Sequence, residues 1–486
     1  MRDHAFTLYD DAYIYLRYVR NLREGCGFRF NCQDAPVEGF TSPLYLALLT
    51  AGSFVTHRLV YLTQVVGAVA MIATIGAAAY AAARAAFGAT DWRLRAALAL
   101  GVDAVLGLDH DVLVNCVIGL EEPVAALVVT AVWIAVIADR RAAALGLVVL
   151  AVLARPEGVL LAVLLPVLPW ARRPRVVVGL VAALCFVTLV RWGLFHDFVP
   201  NTYWAKAGGT TKHFALGVDY LAMLVRDEFP LIMLAPLALL VKDTRPAVTY
   251  ALLMTAAWFG FFLRSGGDVF RFGRLAFPLV PLLTVLALRG IAETARLIAL
   301  HLGRAAMAPS VSALAVALVS AAVAARASSH WLAPVHGDPL VMQWSALGRY
   351  LKEKRPGATV ATVPIGAIGY FSRLRVIDLL GLTTPAVAKA GNTLPPELLT
   401  RGWLGHERHN TAWVLDQRPD LVITTKFRAT PWATLDEAQA GFYADWLVLR
   451  AIKAGVAPYH VTDLPVTPSL HFLAFERDAE AERPIQ

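Results

Sequence analysis

Charged residues are scarce in this chain. Only 16% of its 486 residues are Asp, Glu, Lys or Arg, whereas 58% are hydrophobic and the mean hydropathy is +0.57. This composition excludes an ordinary soluble globular protein and predicts a polytopic membrane protein. The formal net charge of +8 does not indicate nucleic-acid binding, because arginines in such a protein hold cytoplasmic loops in place by the positive-inside bias.

Cysteine is also rare. The four cysteines, Cys26, Cys32, Cys116 and Cys185, do not form a metal-ligand pattern. No cofactor is predicted, and the sequence leaves a requirement for a divalent metal open. Cys185 lies inside an apolar run, where it behaves as a small hydrophobic residue. Cys26 and Cys32 can form a disulfide if their loop is extracytoplasmic, and the sequence does not decide between that bond and two free thiols.

No segment before Asp10 can span a membrane, since residues 1–9 are few and include Arg2, Asp3 and His4. We therefore expect one more helix upstream in the natural protein. Several later apolar runs are shorter than the ~20 residues of a simple spanning helix, so we expect about ten helices, some tilted or broken, with membrane-embedded loops. The runs cover residues 41–55, 59–83, 94–108, 123–138, 142–154, 159–170, 176–195, 231–241, 247–263, 275–288 and 308–325.

The placement of arginine and lysine predicts the orientation. If the chain before residue 59 lies outside and every later run crosses, alternate connections are rich in these residues and belong to the cytoplasm, one of them with Arg289, Arg296 and Arg304. The remaining connections lie outside together with the opening segment. They carry nearly all of the candidate catalytic groups.

The composition changes to that of a soluble domain at about residue 326, beyond which no run is long enough to span. Short buried strands and helical spacing predict a small extracytoplasmic α/β domain. The predicted strands are 359–363, 374–377, 421–425 and 470–475, and the predicted helices are 340–354 and 435–453. We divide the chain into a transmembrane domain at 1–325, whose first outer loop is 1–58, and a soluble domain at 326–486.

The opening segment carries the most unusual polar pattern. If a helix begins near Asp10, then Asp10, Tyr13, Arg17 and Arg20 share one face, which offers a base together with anion-binding groups. A plainer interpretation is a capping aspartate followed by a solvated amphipathic helix. Placing carboxylates near a membrane costs free energy, yet they recur here at the outer ends of helices. This pattern favours a cleft for a phosphate-bearing lipid donor and a hydroxyl-bearing acceptor.

Further polar motifs follow along nearly the whole chain. The set comprises residues 10–13, 17–31, 37–44, 119–123, 155–158, 200–206, 266–278, 366–371, 378–382 and 405–407. As a set, these motifs resemble GT-C-fold membrane glycosyltransferases. They are most similar to the cell-wall terminal arabinofuranosyltransferase family and its uncharacterised bacterial relatives.

This resemblance implies transfer of a sugar such as arabinofuranose from a polyprenyl-phosphate donor to a cell-envelope glycan, on the outer face of the bacterial inner membrane. It implies direct displacement with Asp10 as general base and Asp11 as its partner or the true base. The residues expected to bind the donor phosphate are Arg17, Arg155, Lys206, Arg271 and Arg274. The residues expected to bind sugar are Glu38, Glu121, Glu157, Asn201, Tyr203 and Asp268, and Glu121 can also orient an arginine.

Each motif also has a structural interpretation. Arg155 and Glu157 can form a local ion pair in a turn, Asp268 can cap a helix, and Asn201 with Tyr203 can be turn residues. The stretches 109–111 and 196–197 contain possible metal ligands, but their spacing is not diagnostic. Two rival functions are a transporter or flippase of lipid-linked sugars and a non-catalytic membrane scaffold; the acids on one face and the lack of an inverted repeat count against the transporter.

Overall fold

The computed structural model describes residues 8–84, 91–206, 211–268, 273–328, 339–391, 408–432 and 443–478. The part before residue 329 is helical. Its helices are α1 Asp10–Arg23, α2 Pro43–Ser53, α3 Leu59–Ala83, α4 Trp92–Gly107, α5 His110–Val117, α6 Glu122–Ile137, α7 Arg141–Ala154, α8 Val159–Leu164, α9 Pro174–Phe195, α10 Asn201–Lys206, α11 Thr211–Asp227, α12 Phe229–Leu234, α13 Arg245–Ser265, α14 Val280–His301 and α15 Ala308–Ser328.

Several of these helices are suited to a bilayer. Among the described residues, the segments long and apolar enough to cross are Leu59–Ala83, Pro174–Phe195, Lys242–Ser265, Phe277–His301 and Ala305–Arg326. Helices α5 and α6 meet at a bend of 115° and give a further broken span or a re-entrant loop. Shorter apolar helices occur at Pro43–Ser53, Arg141–Ala154, Pro156–Val167 and Phe229–Leu240. The chain is thus a polytopic helical membrane protein with shortened and broken helices, as its composition predicts.

One predicted connection is wrong. Arg289 and Arg296, which the sequence analysis placed in a short cytoplasmic connection, lie inside α14 because this helix continues past residue 288 to His301. The orientation of the chain and the number of its crossings stay predictions.

The C-terminal region forms an α/β unit around one five-stranded sheet. Its elements are α16 Pro339–Lys354, β1 Thr359–Thr362, α17 Ile365–Ser372, β2 Arg375–Asp378, α18 Pro385–Ala388, α19 Thr411–Asp416, β3 Leu421–Arg428, α20 Tyr443–Lys453, β4 Tyr459–Thr467 and β5 Leu470–Arg477. The strand order is β2-β1-β3-β5-β4. Strand β1 pairs in parallel with β2 and β3, whereas β5 pairs antiparallel with β3 and β4.

The four predicted strands and the helix at 340–354 are confirmed, and the second predicted helix is described from Tyr443 onward. Strand β4 was missed. It lies at the edge of the sheet, contains Pro465 and has few buried residues, so it lacks the apolar pattern of a buried strand.

Helix α1 begins at Asp10, as predicted. Acids in its first turn and arginines in its last turn complement the helix dipole. It is not a solvated amphipathic helix, because most of its residues are buried where it packs against α2 and α17. Its apolar side chains share one hydrophobic core with Val341, Leu347 and Ile365 of the C-terminal region. The division at residue 325 therefore follows composition rather than packing and stays a prediction.

Arg17 connects α1 to the loop that follows it and to the C-terminal α/β unit. Its Nε donates to the carbonyl of Phe30 (2.7 Å), and its Nη2 donates to Asn31 Oδ1 (2.7 Å) and to the carbonyl of Leu374 (2.6 Å). Burial lowers the pKa of Arg17 to about 9. Cys26 and Cys32 form a disulfide in the same loop.

Replacing Arg17 with Met should lower the free energy of unfolding by about 3 kcal/mol or more, because three buried oxygens lose a charged donor. Unfolding of the purified protein in a detergent titration measures this. Arg23→Met is the matched control, since Arg23 is exposed at the end of the same helix, and it should cost less than about 1 kcal/mol. Equal losses for the two variants would contradict the docking role.

Candidate active site

Arg155 lies at the centre of a buried group of carboxylates. It follows the last residue of α7, and the extended backbone at Arg155 turns its guanidinium toward the start of α6. Its Nη1 donates to Glu121 Oε1 (2.9 Å) and to Glu122 Oε1 (3.0 Å). Its Nε and Nη2 both donate to the carboxylate of Glu157 at 3.2 Å. The predicted local pair with Glu157 is therefore present, but it is part of a larger network.

A second arginine extends this network toward α1. Arg274 donates from Nε to Asp268 Oδ2 (2.8 Å) and from Nη1 to Asp11 Oδ2 (3.5 Å). Its Nε also lies 3.6 Å from Glu122 Oε1, so that Glu122 connects the two arginines. We call the set the acid–arginine cluster; its members are Asp11, Glu121, Glu122, Arg155, Glu157, Asp268 and Arg274.

The acid–arginine cluster has more carboxylates than guanidinium groups. Burial lowers the pKa of Arg155, but Glu157 and the neighbouring glutamates outweigh this effect and raise it above its ordinary value. Burial also lowers the pKa of Arg274, but the nearby carboxylates, of which Asp268 has the largest effect, outweigh burial and raise this pKa. Both arginines therefore stay charged, and the excess carboxylate oxygens are acceptors suited to the hydroxyl groups of a sugar.

In the described part of the chain, Oε2 of Glu122, a side chain that is fully buried, has no hydrogen-bond partner. Tyr220 on α11 is also buried. Tyr220 interacts electrostatically with Asp268 and Arg274. Buried polar groups are normally satisfied, so a bound molecule or water is expected to supply the missing partner of Glu122.

The two adjacent aspartates of α1 have different surroundings. Asp10 accepts hydrogen bonds from the backbone N–H of Gly366 (2.9 Å) and of Ala367 (2.8 Å) at the start of α17. Asp11 instead faces Arg274, and its side chain is 40% exposed. Asp10 therefore connects α1 to α17, whereas Asp11 is the solvent-accessible carboxylate of the acid–arginine cluster.

An apolar groove lies close to this cluster, between α2 and α9. Its volume is about 590 Å³, within the ~300–1,000 Å³ range of ligand pockets. Leu180 is the one buried residue of α9, so this helix stands beside the bundle with little packing. Residues that line the groove include Phe28, Phe40, Leu46, Phe186, Val190 and Phe195.

Residues 38–43 contact both the groove and the acid–arginine cluster. On one side, Thr41 donates to Glu121 Oε1 at 2.7 Å. On the other side, Glu38 faces the groove and is paired with Arg191 of α9, whose Nε lies 2.6 Å from Glu38 Oε2. Burial raises the pKa of Glu38, and the hydrogen bond from Arg191 opposes this effect.

Several predicted site residues lie away from the acid–arginine cluster. Arg17 donates to Phe30 and Asn31 of the loop after α1 and to Leu374 of the C-terminal region. Asn201 donates from Nδ2 to the carbonyls of Gly381 (2.7 Å) and Leu382 (2.8 Å), and so joins α10 to the C-terminal region. Tyr203 and Lys206 are exposed on α10. Arg271 and the motif at 405–407 lie outside the described residues.

The candidate metal ligands have other roles. Asp109 caps α5 by accepting the backbone N–H of Asp111 (2.8 Å) and of Val112 (3.1 Å). Asp197 is paired with Lys389 at 2.6 Å. Within the described ranges, no group of three or more His, Cys, Asp and Glu side chains is placed to hold a metal ion.

Arg191 and Tyr220 were not predicted as site residues from the sequence. A signal for Arg191 was present, because it is the one charged residue in the apolar run 176–195, and an ionisable residue in a membrane helix is a functional candidate by default. No comparable signal exists for Tyr220. It is one of many aromatic residues, and its position depends on how α11 packs.

Solved structures similar to this chain identify its fold. ArnT from Cupriavidus metallidurans bound to undecaprenyl phosphate matches with a TM-score of 0.56 and 14% identity over 99% of this chain and 96% of that one. The apo state of the same ArnT matches with a TM-score of 0.55 and 13% identity, over 99% of this chain and 96% of that one. The chain has the GT-C fold. The archaeal oligosaccharyltransferase AglB from Archaeoglobus fulgidus, in complex with an inhibitory peptide and a dolichol-phosphate, matches this GT-C chain with a TM-score of 0.53 and 13% identity over 99% of this chain and 72% of that one.

Sequence similarity to known proteins covers a smaller part of the chain than the structural similarity does. A family model described as a domain of unknown function (DUF8728) matches residues 338–466. No curated protein matches the chain. The specific likeness to arabinofuranosyltransferases therefore stays a prediction.

The different surroundings of the two aspartates predict different losses of stability. Asp10→Ala should cost about 1–2 kcal/mol, because two amide groups at the start of α17 lose their acceptor. Asp11→Ala should cost less than about 0.5 kcal/mol, since it removes one partly exposed carboxylate from a cluster with an excess of them. Thermal unfolding of both variants measures the difference, and a larger loss for Asp11→Ala would contradict this geometry.

Proposed function

We propose that this protein is a glycosyltransferase that uses a polyprenyl-phosphate-linked sugar. The observation that carries the proposal is the arrangement around residues 38–43, with the acid–arginine cluster on one side and the apolar groove on the other. A donor of this class needs both environments, because its sugar is polar and its prenyl chain is apolar. The GT-C fold, and the lipid phosphates bound by ArnT and AglB, support the same conclusion.

Asp11 is the proposed general base. Its carboxylate takes the proton of the acceptor hydroxyl while that oxygen forms a bond to the anomeric carbon of the donor. The bond between this carbon and the phosphate oxygen breaks at the same time, and the lipid phosphate leaves with the electron pair. Asp10, the first choice from the sequence, is better suited to positioning Asp11, since both of its oxygens accept backbone N–H groups.

The remaining candidate residues fall into two groups. Arg274 is a predicted phosphate-binding residue that contacts the proposed base, at 3.5 Å from Asp11, and its fixed charge suits a developing phosphate. Arg155 holds three glutamates, which makes it a positioning residue. Lys206 and Arg271 stay proposals for the donor phosphate.

The proposed sugar contacts come from the carboxylates of the acid–arginine cluster. Glu121, Glu157 and Asp268 belong to this cluster, and their oxygens can accept hydrogen bonds from hydroxyl groups of the sugar. Asn201 and Glu38 have partners elsewhere, so their proposed role is to shape the site. Arabinofuranose as the sugar, a cell-envelope glycan as the acceptor, and the outer face of the bacterial inner membrane as the location belong to this proposal through the family resemblance.

Sugar transfer in membranes tests the proposal. Membranes with the full-length protein would receive radiolabelled polyprenyl-phosphate sugars, one donor at a time, and label in glycan would be counted. Asp11→Asn should lower transfer at least about 100-fold, because the base is lost, while thermal stability and lipid binding persist. Asp10→Asn is the matched variant, and its activity should fall only together with its stability.

Two results would contradict this assignment. Transfer by Asp11→Asn at the wild-type rate would exclude Asp11 as the base. Label that crosses the bilayer without forming a new glycosidic bond would instead indicate the transporter of lipid-linked sugars.

A further inference from the structure

Arg191 is the cation that lines the apolar groove between α2 and α9. Two of its nitrogens contact Glu38, Nε at 2.6 Å and Nη2 at 3.4 Å. The third, Nη1, has no hydrogen-bond partner within the ranges that the structure describes. The guanidinium, which lines the groove, therefore keeps donor capacity beyond its pair with Glu38.

This ion pair is unusual for its surroundings. The other side chains of the groove are almost all apolar, and a charge in such a site is costly unless it has a partner. A packing role alone would be served at lower cost by an apolar pair of similar volume. The pair is therefore better understood as a binding site that neutralises itself while it is empty.

We propose that Arg191 binds the phosphate group of the lipid carrier and that Glu38 is a resident counter-ion, which the phosphate displaces. This inference rests on the proposed function. Arg is suited to the role, because its planar fork can donate two hydrogen bonds to a phosphate. The prenyl chain of the carrier occupies the groove, which is apolar along its length and borders the loosely packed helix α9.

The exchange has a consequence for both ends of the reaction. When the carrier arrives, its phosphate replaces the Glu38 carboxylate on Arg191, so this carboxylate loses its cation for as long as the lipid is bound. When the carrier leaves, Glu38 regains its partner and avoids standing as an unpaired buried carboxylate. Glu38 therefore weakens the binding of the lipid phosphate and favours its release.

Binding of two lipids to the purified full-length protein tests this inference. The probes are a polyprenyl monophosphate and the matching polyprenol, which has the same chain without the phosphate. Neither lipid carries a sugar, so a contact between Glu38 and a sugar cannot affect the measured affinities. Arg191→Gln should weaken binding of the monophosphate about 10-fold to 100-fold, through loss of charge-assisted hydrogen bonds, and leave polyprenol binding unchanged.

Glu38→Gln gives the more discriminating result, because it should tighten binding of the monophosphate several-fold by removing the competing anion. A merely structural Glu38 would give unchanged or weaker binding. Arg175→Gln is the matched control, since Arg175 is exposed near the other end of α9, and it should change neither affinity. Polyprenol binding also reports whether each variant is folded, and Arg191→Lys can replace Arg191→Gln if the latter does not fold.

The outcomes separate this inference from the proposed function. Equal affinity of wild type and Arg191→Gln for the monophosphate would overturn the role of Arg191, while sugar transfer by the wild type would still support a glycosyltransferase. Unchanged or weaker binding by Glu38→Gln would overturn the exchange. If the wild type bound both lipids equally and transferred no sugar, the proposed function itself would fail.

Discussion

The position of the proposed base depends on the hydrogen bonds of its neighbour. Asp10 accepts two backbone N–H groups at the start of α17, where unpaired amides and the helix dipole favour a carboxylate. Gly366 makes this approach possible, because a Cβ there would clash with the backbone oxygen of Asp10. With Asp10 held in this way, Asp11 faces Arg274. A helix of the C-terminal α/β unit thus sets the geometry of Asp11, which lies in the first helix of the chain.

Charge balance is the second constraint. Arg155 and Arg274 hold five carboxylates together where most of them are buried, and each arginine contacts at least three acids. Such a network is strongly self-supporting, since removal of one arginine would leave several buried anions unpaired. Its excess of acceptors suits a polyhydroxylated ligand, while Glu38 and Arg191 form a separate pair on the groove side. In the proposed function, the acid–arginine cluster serves the sugar and the Glu38–Arg191 pair serves the lipid phosphate.

The fold class and part of the site were predictable from the sequence. Apolar runs and strand patterns are local signals, and the connections predicted to lie outside include Glu121, Arg155, Glu157, Asp268 and Arg274, which do lie together. The choice between Asp10 and Asp11 was not predictable. Adjacent helical residues point about 100° apart, and the partner that distinguishes them is distant in sequence. The contacts that Arg17 and Asn201 make with carbonyls of the C-terminal region were not predictable for the same reason, since these partners are also distant in sequence.

Chemical rescue tests the central claim, that Asp11 is the base, most directly. Asp11→Ala and Asp10→Ala would be assayed for sugar transfer with increasing formate, a small carboxylate that can occupy the vacated space. The account predicts that formate restores transfer by Asp11→Ala in proportion to its concentration and does not restore Asp10→Ala, whose defect is one of position. Rescue of Asp10→Ala alone would contradict it.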